Sequence, residues 1–377
     1  MLLLKWKSCI TAITLTAISL SVSKSALAVS LYSLTDLGSL TGEANSYATD
    51  INDSGEVTIN SLDGSDSFFY SNGSLQKISP LPGDNQLTVT GINNLGQVVG
   101  NSVGNNSTGN NPFLYSNGIT QPLPIQNAIP YAINDRTQVV GGASKLGSFL
   151  YTDGIATSIG GTPGTVAYGL NNLGQVVGIL NSNTAFLYKN GQTINLGTLP
   201  SDTYSSASDI NDSGQVVGTS GLTGVDDGRA FLYTSSTGLQ DLGRLRPTDL
   251  FSFADGINNL GQVVGFSGTN YNFYTADGNA LQAFLYSDNT LYDLNDLIAP
   301  GSEPGFTLTA ASAINNNGQI VGRGAVNGEL HAFLLTPISS VSVAEPTSGV
   351  PILSFGAVLI LFAALKRKAD SSSATGV

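Results

Sequence analysis

Along residues 29–337, apolar and polar positions alternate in short runs, and clusters of Gly, Asn, Asp and Ser cut the runs apart. Period-two runs of this kind are half-buried β-strands, because successive side chains of a strand point to opposite faces. One run is written several times: GINNLGQVVG at 91–100 returns as GLNNLGQVVG at 169–178 and as GINNLGQVVG at 256–265. Counting divergent copies, the pattern I-N-x-x-G-Q-V-V-G has its Asn at Asn52, Asn93, Asn134, Asn171, Asn211, Asn258 and Asn315, at intervals of 41, 41, 37, 40, 47 and 57 residues. Such self-similarity marks a repeat architecture. A second pattern, A-F-L-Y, comes after each copy, first as Phe68-Phe69-Tyr70 and then in triplets led by Phe113, Phe149, Phe186, Phe231, Phe284 and Phe333.

Each repeat reads as four strands. Q-V-V-G and A-F-L-Y are β-branched or aromatic runs bounded by turn residues. The N-x-x-G between strands predicts a type I turn closed by a left-handed glycine, at Gly55, Gly96, Gly174, Gly214, Gly261 and Gly318, with Thr137 in that place in the third copy. Asn-Gly or Asp-Gly steps at 71–73, 116–118, 152–154 and 189–191 make the next hairpin, and a fourth strand is clearest at 193–199 and 239–245. Four antiparallel strands in about 40 residues form a propeller blade. After the last A-F-L-Y copy no fourth strand remains, yet LYSLTDLGSL at 31–40 resembles LQDLGRL at 239–245. The N-terminus is therefore expected to supply the outer strand of the last blade, which shuts the ring and removes a sheet edge. The balance favours an all-β, closed seven-bladed propeller over an open β-solenoid.

The ends read as processing signals. Lys5 and Lys7, an apolar stretch at 9–22, and Ala26 and Ala28 in an A-x-A site before Val29 describe a signal peptide over 1–28 for a signal peptidase. The single cysteine, Cys9, lies inside it, so the trimmed chain relies on packing and not on disulfides. The propeller takes 29–337 and a linker 338–349. Residues 350–365 are 16 uncharged positions leading into Lys366, Arg367 and Lys368, a stop-transfer pattern that predicts a short transmembrane helix over 350–368 ahead of a polar tail, 369–377.

Two families are resembled. Val343-Ala344-Glu345-Pro346, the apolar span and the basic cluster together resemble the bacterial PEP-CTERM sorting signal, with Ala344 where that family has its first proline. The likeness implies recognition and cutting by an exosortase-type enzyme. The repeats resemble the extracellular HAF repeat family, named for His-Ala-Phe: His331-Ala332-Phe333 keeps all three letters, and the other six copies replace the His. That likeness implies a surface or secreted repeat protein and no particular activity.

Composition narrows the function. Charged residues are 11%, hydrophobic residues 41%, and 45 Gly are present, as in a turn-rich β protein and unlike a disordered chain. Without the six cations and one acid of the two signals, 8 cations face 25 acids, a net charge of about −17, which argues against nucleic-acid partners. The lone His331 belongs to the repeat pattern, and no G-x-S-x-G, H-E-x-x-H or phosphate loop is present, so neither a catalytic set nor a cofactor is expected. Asp-x-Asn-x-Ser-Gly at 50–55 and 209–214 echoes half a calcium loop, but Ser61 and Ser220 stand where a bidentate Glu is needed, so an Asx-capped turn and no metal is expected. Asp226, Asp227, Asp249 and Glu303 in variable connections are the basis for an alternative, a secreted carbohydrate-active glycosidase or lyase on a propeller scaffold.

In an up-and-down blade the N-x-x-G and x-Asn-Gly turns share one face, while the second-to-third-strand loops and the blade connections share the other. There lengths vary, from 6 residues at 179–184 to 17 at 266–282. Variable loops on a rigid scaffold carry binding. The longest holds Tyr271, Phe273, Tyr274 and Asp277, which suit stacking on sugar rings with hydrogen bonds to hydroxyls. The expected protein is exported and non-catalytic, sits at the cell surface or in the matrix, and binds a polysaccharide or surface protein through this face. Its C-terminal helix holds it to the membrane at least transiently.

Overall fold

A computed structural model describes residues 31–104, 109–160, 164–223, 227–270 and 280–338. The chain divides into two units after Ile338, and every described residue belongs to the first. The proposed signal peptide, the sorting motif with its apolar span, and the aromatic loop at 271–279 lie outside the described residues. Among the described residues no helix is long and apolar enough to cross a membrane.

Seven four-stranded antiparallel sheets form in chain order, numbered here as blades 1 to 7. Blade 2 is representative, with strands Gln86–Ile92, Val98–Val103, Asn111–Ser116 and Ile119–Pro122 running from the inside outward. The six N-x-x-G glycines have φ of 71–78°, and Thr137 takes the same conformation at 57°. Each turn is closed by a bond such as that from the Gly96 amide to the Asn93 carbonyl, 3.1 Å. A residue with a Cβ is strained there by about 1 kcal/mol or more. Thr137 has a local compensation, a 2.9 Å hydrogen bond from its hydroxyl to Gln97 Oε1 of the preceding blade.

The paired valines result from two-sided burial. Val98 packs with Phe113 on the side facing blade 1, and Val99 joins Ile133, Val139 and Phe149 of blade 3. Blades 4 and 5 meet in the same way, with Val177 and Leu187 against Ile210, Val216 and Phe231. In A-F-L-Y the Phe therefore faces the preceding blade and the Leu the following one. Six of the seven leading phenylalanines are fully buried and Phe68 is 6% exposed. Removing such a ring costs about 3–5 kcal/mol.

The ring closes as the sequence predicts, with one difference. Tyr32–Asp36 pairs with the third strand of blade 7, from Tyr32↔Pro337 to Asp36↔Phe333. The strand stops there: Gly38–Thr41 is a helical turn capped by left-handed Gly42, so only five of the expected ten residues are strand. Gly38 lets this turn lie directly on His331, in a space that any Cβ would fill. His331 Nδ1 lies 2.9–3.0 Å from both carboxylate oxygens of Asp36 across the seam, which gives the one histidine a structural place.

Candidate functional site

Seven turns converge on the axis, and each contributes the same two side chains. The first is the motif asparagine, 3–4% exposed in all seven blades. Its Nδ2 donates to the backbone carbonyl of the corresponding Asn of the next blade, from Asn52 to Asn93 and onward until Asn315 donates to Asn52, at 2.9–3.1 Å throughout. The circle has no end. In Asn171 the second Nδ2 hydrogen goes to Gln175 Oε1 at 2.7 Å, and Oδ1 accepts the amides of Leu173 and Gln175. Every polar valence of this buried amide is used.

The second ring lies one residue on, at Asp53, Asn94, Asp135, Asn172, Asp212, Asn259 and Asn316. Each backbone amide donates to the side-chain Oδ1 of its successor at 2.8–2.9 Å, again closing from Asn316 to Asp53. Flanking asparagines donate to the free carboxylate oxygens, as Asn94 and Asn172 do to Asp135 at 3.0–3.1 Å. The cup enclosed by the two rings measures only about 170 Å³, and its amides and carboxylates are already occupied by one another.

On the innermost strands of blades 1, 5 and 6 three carboxyls are held well above their usual range. Burial pushes Asp50 up to about 7, against the pull of the Ile92 and Ile51 amides and with a further push from Asp209. Burial likewise raises Asp209 to about 6 and Asp255 to about 7, the latter pulled back by Arg323. Asp50 and Asp209 each bridge to the next blade, accepting the amides of Ile92 and Ile257 at 2.9 and 3.0 Å. A native carboxyl that holds its proton above the unfolded value stabilises the fold while protonated and loses that contribution as pH rises. Stability should therefore fall between about pH 4 and 7, from the ordinary carboxyl range up to the raised values. The Asp50→Asn, Asp209→Asn double variant should show a flatter melting-temperature profile across that window, and an unchanged slope would show that these groups do not titrate there.

The opposite face is concave. Between blades 6 and 7 a groove of about 640 Å³ is lined by residues that include Glu303, Phe306 and Asn327. Where the connections leaving blades 1 and 2 meet, another of about 750 Å³ is walled by Leu81, Pro82, Pro112, Leu123, Pro124 and Ile125. A smaller one, about 410 Å³, lies along the connection from blade 5 to blade 6, with Arg229, Arg244 and Arg246. Second-to-third-strand loops and blade connections supply most of their walls, with strand residues such as Leu34 and Asp241 completing them.

The predicted turn glycines sit together around the axis. Tyr271, Phe273, Tyr274 and Asp277, together with Ala26, Ala28, Val343, Ala344, Glu345 and Pro346, lie outside the described residues. Of the acids considered for hydrolysis, Asp249 is buried and accepts from Arg246 and Ser267 at 2.8–3.1 Å. Asp227 accepts the Leu222 amide at 2.9 Å, and Glu303 stands on the 640 Å³ groove. Among the described residues no group of three or more His, Cys, Asp or Glu side chains could hold a metal ion. The two axial rings were missed by the sequence reading, although a signal was present: the motif Asn stands in all seven copies, and Asn or Asp comes directly after it in each.

Residues 200–334, which run from blade 5 into blade 7, match a family of proteins of unknown function, DUF3466. No curated protein matches the chain. Among solved structures a streptogramin B lyase aligns with a TM-score of 0.51 at 11% identity, over 82% of this chain and 98% of that one. Virginiamycin B lyase from Staphylococcus aureus aligns at 0.48 and 11%, over 81% and 100%. YCF48 bound to D1 peptide aligns at 0.49 and 10%, over 83% and 99%. At these identities the first likeness shows the propeller fold alone.

Proposed function

We propose that this protein is an exported, non-catalytic propeller of the cell surface or extracellular matrix that holds a glycan or a partner protein across its variable-loop face. The observation that carries this is the asymmetry of the two faces. The constant turns are locked into saturated hydrogen-bond rings around a 170 Å³ cup, whereas grooves of 640 and 750 Å³ open between blades on the other side. Ligand pockets are concavities of about 300–1,000 Å³ on a largely pre-formed scaffold, and the rings supply that rigidity.

Export rests on the signal-like residues 1–28, and sorting on the Glu345-Pro346 motif, the apolar span and Lys366–Lys368. A span of 16 residues is short for a permanent anchor, since about 17–25 are needed to cross. In this reading the helix is a transient hold that an exosortase-type enzyme removes. Fractionation of the source cells and intact-mass measurement test it. The expected species is extracytoplasmic, begins at Val29 and lacks residues 350–377. A cytoplasmic chain beginning at Met1 would overturn export, and an exported chain still carrying 350–377 would make the tail a lasting anchor.

A further inference from the structure

The groove between blades 6 and 7 differs from the others in what builds its wall. Leu34 of the N-terminal strand lines it, and that strand is held on both sides. One edge pairs with blade 7. On the other edge Tyr32 bridges to Ile298, and its carbonyl accepts the Ala299 amide at 2.9 Å, on the connection that leads out of blade 6. The groove is complete only when the ring is shut.

Its lining is an aromatic ring among hydroxyl, amide and carboxylate groups. Phe306 is half-buried and fixed: it meets Phe333 edge-on at 6.4 Å between ring centroids, and it fills the space beside Gly324 that any Cβ would occupy. Asn295 braces the floor, donating to Gln282 Oε1 at 3.0 Å and to the Leu308 carbonyl at 3.1 Å. Around the rim stand Ser302, Glu303, Thr307 and Asn327. Glu303 is exposed and strained, with φ of 30°. Among the described residues it is the one Glu of thirteen non-glycine residues with positive φ, the rest being Asn, Asp, Ser or Thr. It also precedes Pro304, a position that disfavours helical-type backbone. Strain of this kind costs about 1–3 kcal/mol and gathers where a side chain must be aimed at a ligand.

We propose that this groove is a saccharide subsite for a neutral hexose or pentose polymer. Phe306 stacks on a sugar ring and the Glu303 carboxylate accepts two neighbouring hydroxyls, while Ser302, Thr307 and Asn327 complete the polar rim. The assignment names the ligand class of the variable-face reading and rests on it. Neutral sugars are specified because a chain near −17 repels uronates and sulfates, and because a carboxylate is a good acceptor for hydroxyls but not for anions. Since the N-terminal strand is a wall of the groove, the ligand binds the closed ring and not the opened one. At a concentration about 100 times its Kd, it should shift the closed-to-open ratio by about 100-fold.

The test uses the full chain on a panel of gluco-, manno- and xylo-configured hexasaccharides, with hexagalacturonate as the acidic control. At least one neutral member should bind. Glu303→Gln, an exposed change that leaves packing intact, should weaken it at least 5-fold, and Phe306→Ala at least 10-fold. The bound sugar should also slow hydrogen exchange of the amides at 32–36. Binding undiminished in both variants, or protection that spares the N-terminal strand, would overturn the seam site. A blank panel, or preference for hexagalacturonate, would overturn the neutral-saccharide assignment and leave the variable-face binding protein standing. Shortening of a hexasaccharide on incubation would instead overturn the non-catalytic reading.

Discussion

Asn171→Ala should lower the unfolding free energy by about 3–5 kcal/mol. The substitution deletes four hydrogen bonds at once. It strands the amides of Leu173 and Gln175 and the Oε1 of Gln175, a side chain only 6% exposed. Each orphaned buried polar group costs about 1–3 kcal/mol, partly relieved where water enters. Asn171→Asp separates geometry from hydrogen-bond direction. It keeps the shape and the Oδ1 acceptor but sets a carboxylate oxygen against the Asn211 carbonyl and Gln175 Oε1. That variant should be at least as unstable at pH 7 and should recover toward acid, because a buried carboxyl facing acceptors holds its proton. Urea denaturation of both, beside exposed Leu173→Ala, is the measurement. A loss below about 1 kcal/mol for Asn171→Ala would mean that the ring is ornamental.

Deleting residues 31–40 should have the larger effect, loss of the cooperative monomer. Five register pairs go, as do the buried side chains of Tyr32, Leu34 and Leu37, each worth about 1.5–3 kcal/mol. Two inter-blade clusters are opened, since Tyr32 and Leu34 pack between blades 6 and 7 and Leu37 between 7 and 1. The third strand of blade 7 becomes an unpaired edge, the template for aggregation. Size-exclusion chromatography and circular-dichroism melts should show oligomers and a broadened transition. A monomer with the parent melting point would mean that the N-terminal strand does not hold the ring shut.

The count of blades and their closure were legible because both arise from short-range periodicity. Val-Val, Phe-Leu-Tyr and left-handed glycines announce strands and turns within a few residues, and the surplus strand at the N-terminus equals the deficit at the C-terminus. The axial rings were not legible for the opposite reason. Asn93 is satisfied by Asn134, 41 residues away, and nothing inside one repeat says that its turn will lie against the next. The spacing of Asp50 and Asp209 echoes only half a calcium loop and says nothing of their partners, and each carboxyl accepts amides of its own and the next blade. The helical turn at Gly38–Thr41 was hidden because LTDLGSL at 34–40 reads like LQDLGRL at 239–245, which is strand as far as Gly243. The groove at Glu303 was invisible in sequence, since its walls come from three segments separated along the chain.

The second axial ring also has a parity. Around the mouth, carboxylate and amide tips alternate through Asp53, Asn94, Asp135, Asn172, Asp212 and Asn259, and the seventh tip, Asn316, repeats the kind of its predecessor. A circle with an odd number of members cannot alternate without one fault. The chain places that fault between two neutral amides, and no two negative tips are neighbours. Duplication of blades is the ordinary way in which repeat proteins change size, and here it meets a selection rule of charge order. A duplicated Asp-tipped blade inserted between blades 6 and 7 would repair the alternation. The same blade inserted beside blade 1, 3 or 5 would set carboxylate against carboxylate.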